Sequence, residues 1–198
     1  ENNTPELARL PKGTDGDVLT LASGLPSWAA GSSGGKWEKL VYSEQTVTGG
    51  TLDASFTAKE LLKIFFYSKK GSGTRATTLR IGSGGSISSA NYGYNRLNQG
   101  TYETGSSFSQ NNFLVQPDTT VNSAAFFTID ILNQDGDIKQ ITGIGTTADR
   151  PNTGCFGGGW SDSNQCNIVQ MNNNLHGGTD SNVTAGSFIE VWGTDLNA

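Results

Sequence analysis

From Trp37 onward the apolar residues fall in short runs separated by Gly, Asn, Ser and Asp, the pattern of strands joined by turns. Lys39–Tyr42 opens the series, and Val47–Phe56 continues it through Gly49-Gly50. Residues 60–68 form the longest largely apolar run. Thr57–Leu62 has the look of a helical turn, but β-branched and aromatic residues follow at once, so the run is read as a buried strand. Arg75–Ile81 alternates less cleanly and is expected to pair with it across Lys70-Gly71-Ser72-Gly73. Phe113–Val115, Ala124–Leu132 and Ile138–Ile144 supply three more strands, with Asp135-Gly136 as the core of a hairpin turn between the last two. Gly157–Trp160, Asn167–Met171 and Ser187–Trp192 complete the set. About eight to ten strands at this spacing predict an all-β fold, a jelly-roll-like antiparallel β-sandwich. No fixed-period repeat is present.

Two stretches depart from this pattern. Ser83–Asn112, rich in Gly, Ser, Asn and Tyr, reads as a long loop with one short strand, and loops of that length usually bind something. Residues 7–30 read as a connector with a small folded turn, in which Val18, Leu19 and Leu21 face Trp28 across Ser23-Gly24. Too few apolar groups are present for this piece to fold alone, so the main domain or a neighbouring chain should cover it. Gly31-Ser32-Ser33-Gly34-Gly35 is a hinge by composition. It divides an N-terminal connector or anchor, residues 1–35, from a sandwich head, residues 36–198.

Composition narrows the function. Charged residues are 16% of the chain, the net charge is −5 and no Lys/Arg cluster exists, which argues against nucleic acid as a partner. No run of about 18 apolar residues predicts membrane insertion, and no basic-then-apolar signal pattern opens the chain. The sequence starts at Glu1 and its one Met is Met171, so it is expected to be cut from something longer.

Catalysis needs a constellation, and none is marked. Glycan hydrolysis would require two carboxyls about 5 to 9 Å apart. Single acidic residues such as Glu103 or Asp162 in polar stretches read as solvated surface, so no catalytic residue and no cofactor are assigned. His176 is the only histidine, and one chain cannot build a His-rich metal site from it. Only three copies on a three-fold axis could. Asn133–Asp137 carries oxygen ligands at alternate positions but lacks the distal Glu of a calcium loop, so a hairpin turn is the better reading. Cys155 and Cys166 could meet across a hairpin as a disulfide contributing about 3 kcal/mol, or stay two free thiols.

The binding candidates are aromatics set among amides, a mixture suited to sugars, whose C–H faces stack on rings while amides and carboxylates take the hydroxyls. One group is Tyr92, Tyr94, Arg96, Asn98 and Tyr102. The other is Trp160, Asp162, Asn164, Asn172, Asn174 and His176. The plainer alternative is that these rings pack a loop onto the sandwich or onto a neighbouring chain.

The segment Leu10-Pro11-Lys12-Gly13-Thr14-Asp15-Gly16-Asp17-Val18-Leu19, continued by Ser23-Gly24-Leu25-Pro26-Ser27-Trp28-Ala29, resembles the "LPKGTxGxVLxxxSGxPxWA" element of tail fibres and related virion proteins of tailed bacteriophages. More loosely, residues 37–192 resemble the β-sandwich heads that end such proteins. The resemblance implies a homotrimeric virion protein, joined to other virion proteins through its N-terminal segment, in a tail fibre, head fibre or capsid decoration. It also implies attachment to a host surface receptor, a glycan or a protein. A purely architectural role is the alternative, and a glycan depolymerase a more distant one.

Overall fold

A computed structural model describes residues 10–30, 36–69, 75–98, 101–110, 113–119, 124–147, 153–174 and 183–196. At 75–76, 94, 96–98, 101–110, 113–119, 147, 153 and 174 it describes the backbone alone. The described residues contain strands and no helix, as the turn chemistry predicts.

A two-stranded hairpin of β1 (Asp17–Ala22) and β2 (Leu25–Ala30) comes first. Its register pairs Leu19 with Trp28 and Ala22 with Leu25 across the Ser23-Gly24 turn, as the sequence predicts. The preceding residues close onto it. Trp28 Nε1 donates to the Pro11 carbonyl at 2.6 Å, and the Trp28 ring lies where a side chain at position 13 would be, 2.7 Å from the place of a Cβ on Gly13. The Thr14 and Asp17 N–H groups are each held within that same turn, by the Asp17 carboxylate and the Thr14 carbonyl.

The remaining strands form two antiparallel sheets. The large one runs β3–β15–β5–β11–β12–β13–β8–β9. Its members are β3 (Glu38–Glu44), β15 (Phe188–Thr194), β5 (Leu61–Lys69), β11 (Ala124–Leu132), β12 (Lys139–Thr147), β13 (Thr153–Trp160), β8 (Tyr92–Asn98) and β9 (Thr101–Gln110). The small one runs β10 (Phe113–Thr119), β6 (Arg75–Ser83), β14 (Ile168–Asn174) and β4 (Leu52–Ser55), with the short β7 (Ser86–Ile87) on β6.

The core lies between these sheets. From the large sheet come Leu62, Ile64, Phe66, Phe127, Ile129, Ile131, Ile141, Ile189 and Val191. The small sheet answers with Leu52, Ala54, Leu79, Ile81, Val169 and Met171. Fully burying one such side chain is worth about 1.5–3 kcal/mol. Phe66 sits between Ile189 and Phe127, and Ile64 between Val191 and Ile129, so the inward positions form continuous cross-strand rows. On β12 the row is broken at Gly143, where a Cβ would lie 2.2 Å from the ring of Phe156, so the missing side chain makes room for that ring.

Polar struts tie the sheets at both ends of β5. At one end Ser68 and Thr77 both donate to Asn173 Oδ1, at 3.1 and 2.9 Å. At the other, Asn133 Nδ2 donates to the Lys59 and Cys166 carbonyls while its Oδ1 accepts from Cys166 N–H at 2.7 Å.

Three expectations need correction. β6 does not pair with β5: it joins β14 and β10 in the other sheet, because both edges of β5 are taken by β11 and β15. The stretch 83–112 is not a long loop. It holds β7, β8 and β9, whose small polar residues suit strands at a sheet margin. The run Val47–Phe56 yields only β4, since the backbone turns through positive φ at Gly49 and Gly50, at 139° and 63°.

Candidate functional site: an aromatic row on the outward face

Tyr92 and Trp160, two of the expected sugar-stacking residues, are core residues that neighbour each other across β8 and β13 and have no exposed surface. Tyr92 is a strut: its hydroxyl accepts from Ile81 N–H at 2.9 Å, and its hydrogen faces the Ile81 and Ser88 carbonyls at 2.7 and 3.0 Å. Burial pushes the phenol up to about 12, so it stays protonated and keeps its donor. Asn172 is likewise buried, on β14 opposite Thr78. These three are corrected from ligand contacts to packing, the plainer alternative for aromatics in amide-rich sequence.

Asp162 is half-buried and Asn164 exposed, in the connection between β13 and β14. The Asp162 carboxylate accepts from the Asn164 backbone and side-chain amides at 2.8 and 3.0 Å, so the two build a local turn. Tyr94, Arg96 and Asn98 take strand positions on β8 opposite Gly158, Phe156 and Gly154, Tyr102 lies on β9 opposite Leu97, and Asn174 ends β14. The side chains of these five lie outside the described residues, as does His176 altogether.

Of the two states the sequence leaves open for the cysteines, the structure has the free thiols and not the disulfide. Cys155 is exposed beside Ile144, whereas Cys166 is wholly buried, and its thiol is pushed up to about 12 by that burial. Thiols on opposite sides of one layer cannot approach bonding distance.

The sequence reading missed the other side of the large sheet. β5 alternates strictly, with Leu62, Ile64, Phe66 and Ser68 inward, so Phe65 and Tyr67 must face out. Tyr42 on β3, Phe188 on β15 and Phe126 on β11 share that face. The rings lie along this face as a trio and a pair. Tyr42 and Phe188 have centroids 5.6 Å apart, Phe188 and Tyr67 5.4 Å, and Phe65 and Phe126 6.3 Å, with interplanar angles between 18° and 31°. Such offset stacking uses the inner ring faces on each other.

The ends of the row stay open. Tyr42 is 46% exposed and Phe126 43%, and beside Phe126 stands Ile144 at 57%. The Lys39 ammonium lies 5.0 Å from the Tyr42 ring centroid, leaving Phe126 and Ile144 as the open apolar corner.

Charged and polar groups surround the row. Lys39 pairs with Glu190 at 2.9 Å and Lys63 with Asp130 at 2.5 Å. Glu190 also accepts from Trp192 Nε1 at 2.6 Å, and the bonds from Lys39 and Trp192 hold its carboxyl below the usual range. Thr146 stands on β12 directly opposite Phe126, and Thr142 further along opposite Asp130. The combination is what carbohydrate or protein contact requires: an exposed apolar surface with hydrogen-bonding groups at its margin. Among the described residues no group of three or more His, Cys, Asp and Glu side chains gathers as for a metal ion, and no helix is long and apolar enough to cross a membrane. Comparison of the chain with protein-family models, with curated proteins and with solved structures finds no match to any of them.

Proposed function

We propose that this chain is a virion fibre-type protein, non-enzymatic and homotrimeric, whose sandwich attaches to a glycan on a host surface through the outward face of its large sheet. Its N-terminal hairpin joins it to other virion proteins. The observation that carries the contact surface is the aromatic row. The core is complete on the inward face, yet five rings stand on the outward one, two of them close to half exposed. The virion assignment rests on the likeness of residues 10–29 to the fibre element. Within the row, Phe126 offers the open corner on which a pyranose ring can stack, with Ile144 diagonally across and the hydroxyl of Thr146, directly opposite, in reach of sugar hydroxyls.

Binding of the intact protein to an array of bacterial surface glycans, and to host cells, tests this. Phe126→Ala should weaken binding about tenfold, the equivalent of roughly 1.4 kcal/mol. Binding that survives the loss of both Phe126 and Ile144 would remove the surface from consideration.

One observation favours a second reading, in which the face packs against another virion subunit. Phe188 lies between Tyr42 and Tyr67 with its ring engaged by both, an arrangement that suits a protein surface as well as a sugar. Locating the sandwich in an intact particle separates the two: a glycan-binding face looks outward, and an architectural one is covered.

A further inference from the structure

Lys139 opens β12 opposite Trp160, on the inward side of the large sheet, and its side chain is fully buried. A lysine there must find partners for its ammonium without water. It finds four backbone carbonyls. Nζ donates to the carbonyls of Gln134 at 2.7 Å, Asp162 at 3.1 Å and Ser163 at 3.3 Å, and to that of Asp137. Two of these oxygens come from the β11–β12 turn and two from the connection between β13 and β14. Those segments are also joined directly, Gly136 N–H to the Ser163 carbonyl at 2.8 Å. Three ammonium hydrogens facing four oxygens is coordination of a point charge by a carbonyl cage, as much as a set of directed bonds.

The surrounding charge has the same sense. Burial lowers the Lys139 pKa, and the carboxylates of Asp162, Asp135 and Asp137 act against that, in favour of the ammonium. Carbonyl oxygens from two chain segments, with carboxylates close by, are the donor set of a hard cation such as Ca²⁺, which takes six to eight oxygens. Of the Asn133–Asp137 turn it is the Gln134 and Asp137 carbonyls that reach this place, the Asn133 side chain being held by Lys59 and Cys166.

We propose that the space between residues 133–137 and 161–166 is a hard-cation site whose resident ion is the chain's own Lys139 ammonium, and that the site takes Ca²⁺ once that ammonium is removed. Lys139 acts there as a positioning residue: it fastens the loop that carries Asp162 and Asn164 to the hairpin turn. The four carbonyls supply over half of the smallest calcium set, and water fills the volume that the side chain leaves.

Thermal unfolding of the full chain, in EDTA and in millimolar CaCl₂, tests the assignment in the wild type, Lys139→Ala and Lys139→Met. In EDTA, Lys139→Ala should melt on the order of 10 °C below wild type. Calcium should restore at least half of that loss, and it should leave wild type and Lys139→Met unmoved, because in both a long side chain fills the site. An alanine variant as stable as wild type in EDTA, or unresponsive to calcium, overturns the proposal. So does an equal calcium response in all three proteins, which would mark binding elsewhere. If Lys139→Ala folds only with calcium, the proposal stands. If it folds in neither condition, the ¹⁵N signal of the Lys139 ammonium in wild type decides. Slow proton exchange there supports a caged ion, and exchange as fast as that of surface lysines refutes it.

Discussion

The two faces of the large sheet are both rich in aromatic and aliphatic side chains, yet they are put together differently. On the inward face Ile64, Phe66, Phe127 and Ile129 meet residues from the small sheet and are closed off. On the outward face Phe65 stacks on Phe126 and Phe188 lies between Tyr42 and Tyr67, with the Lys39–Glu190 and Lys63–Asp130 pairs on the same strands. Apolar character alone therefore does not separate folding from contact in this chain. What separates them is whether a second layer covers the ring.

Truncation on each face breaks or sharpens that contrast. Phe66→Ala removes a fully buried ring and should cost about 3–5 kcal/mol, read as a lower denaturation midpoint in urea with an unchanged slope. Phe126→Ala on the neighbouring strand should cost less than about 1 kcal/mol by the same measurement. A loss comparable to that of Phe66 would mean that the outward face is a second core and not a contact surface.

Acid should have the smallest effect, and it acts on the outward side and edge. Lys39 and Trp192 lower the Glu190 pKa, and Lys59 lowers that of Asp195. A carboxyl whose folded pKa lies below its unfolded value contributes stability above that unfolded value, and the contribution fades as the pH falls through the folded one. The melting temperature should therefore slip gently below pH 4.5, the ordinary glutamate value, and Glu190→Gln should flatten the slope. Both carboxylates keep part of their surface in water, so a steep transition there would point to other groups.

Strand positions were largely legible in the sequence. The Asp135-Gly136 hairpin, the alternation along 124–132 and the apolar run 60–68 each encode a local geometry that the tertiary structure keeps. Which strands pair was not legible where pairing depends on competition. Lys70–Gly73 looks like a hairpin turn, but β5 has both edges filled, and nothing near Arg75 records that. The margin strands β8 and β9 escaped notice because they read as Gly, Asn and Thr without strong alternation. The binding candidates were misjudged for a related reason. Tyr92 and Trp160 look exposed among amides and glycines, yet they face each other across β8 and β13 on the inward side and are fully buried. Phe65 and Tyr67 look buried inside an apolar run, yet a strand with one covered face must turn every second residue outward. The free state of Cys155 and Cys166 follows from the same two-sidedness and could not be read from their spacing.

The N-terminal hairpin has a consequence of a different kind. Its hydrogen bonds run within residues 11–30: the indole of Trp28 to Pro11, Thr14 to Asp17, Thr20 to Ser27. Yet Leu19, Leu21 and Leu25 stand exposed on it, so its hydrogen bonds set its shape while its apolar side chains still call for a covering surface, which a neighbouring chain can supply.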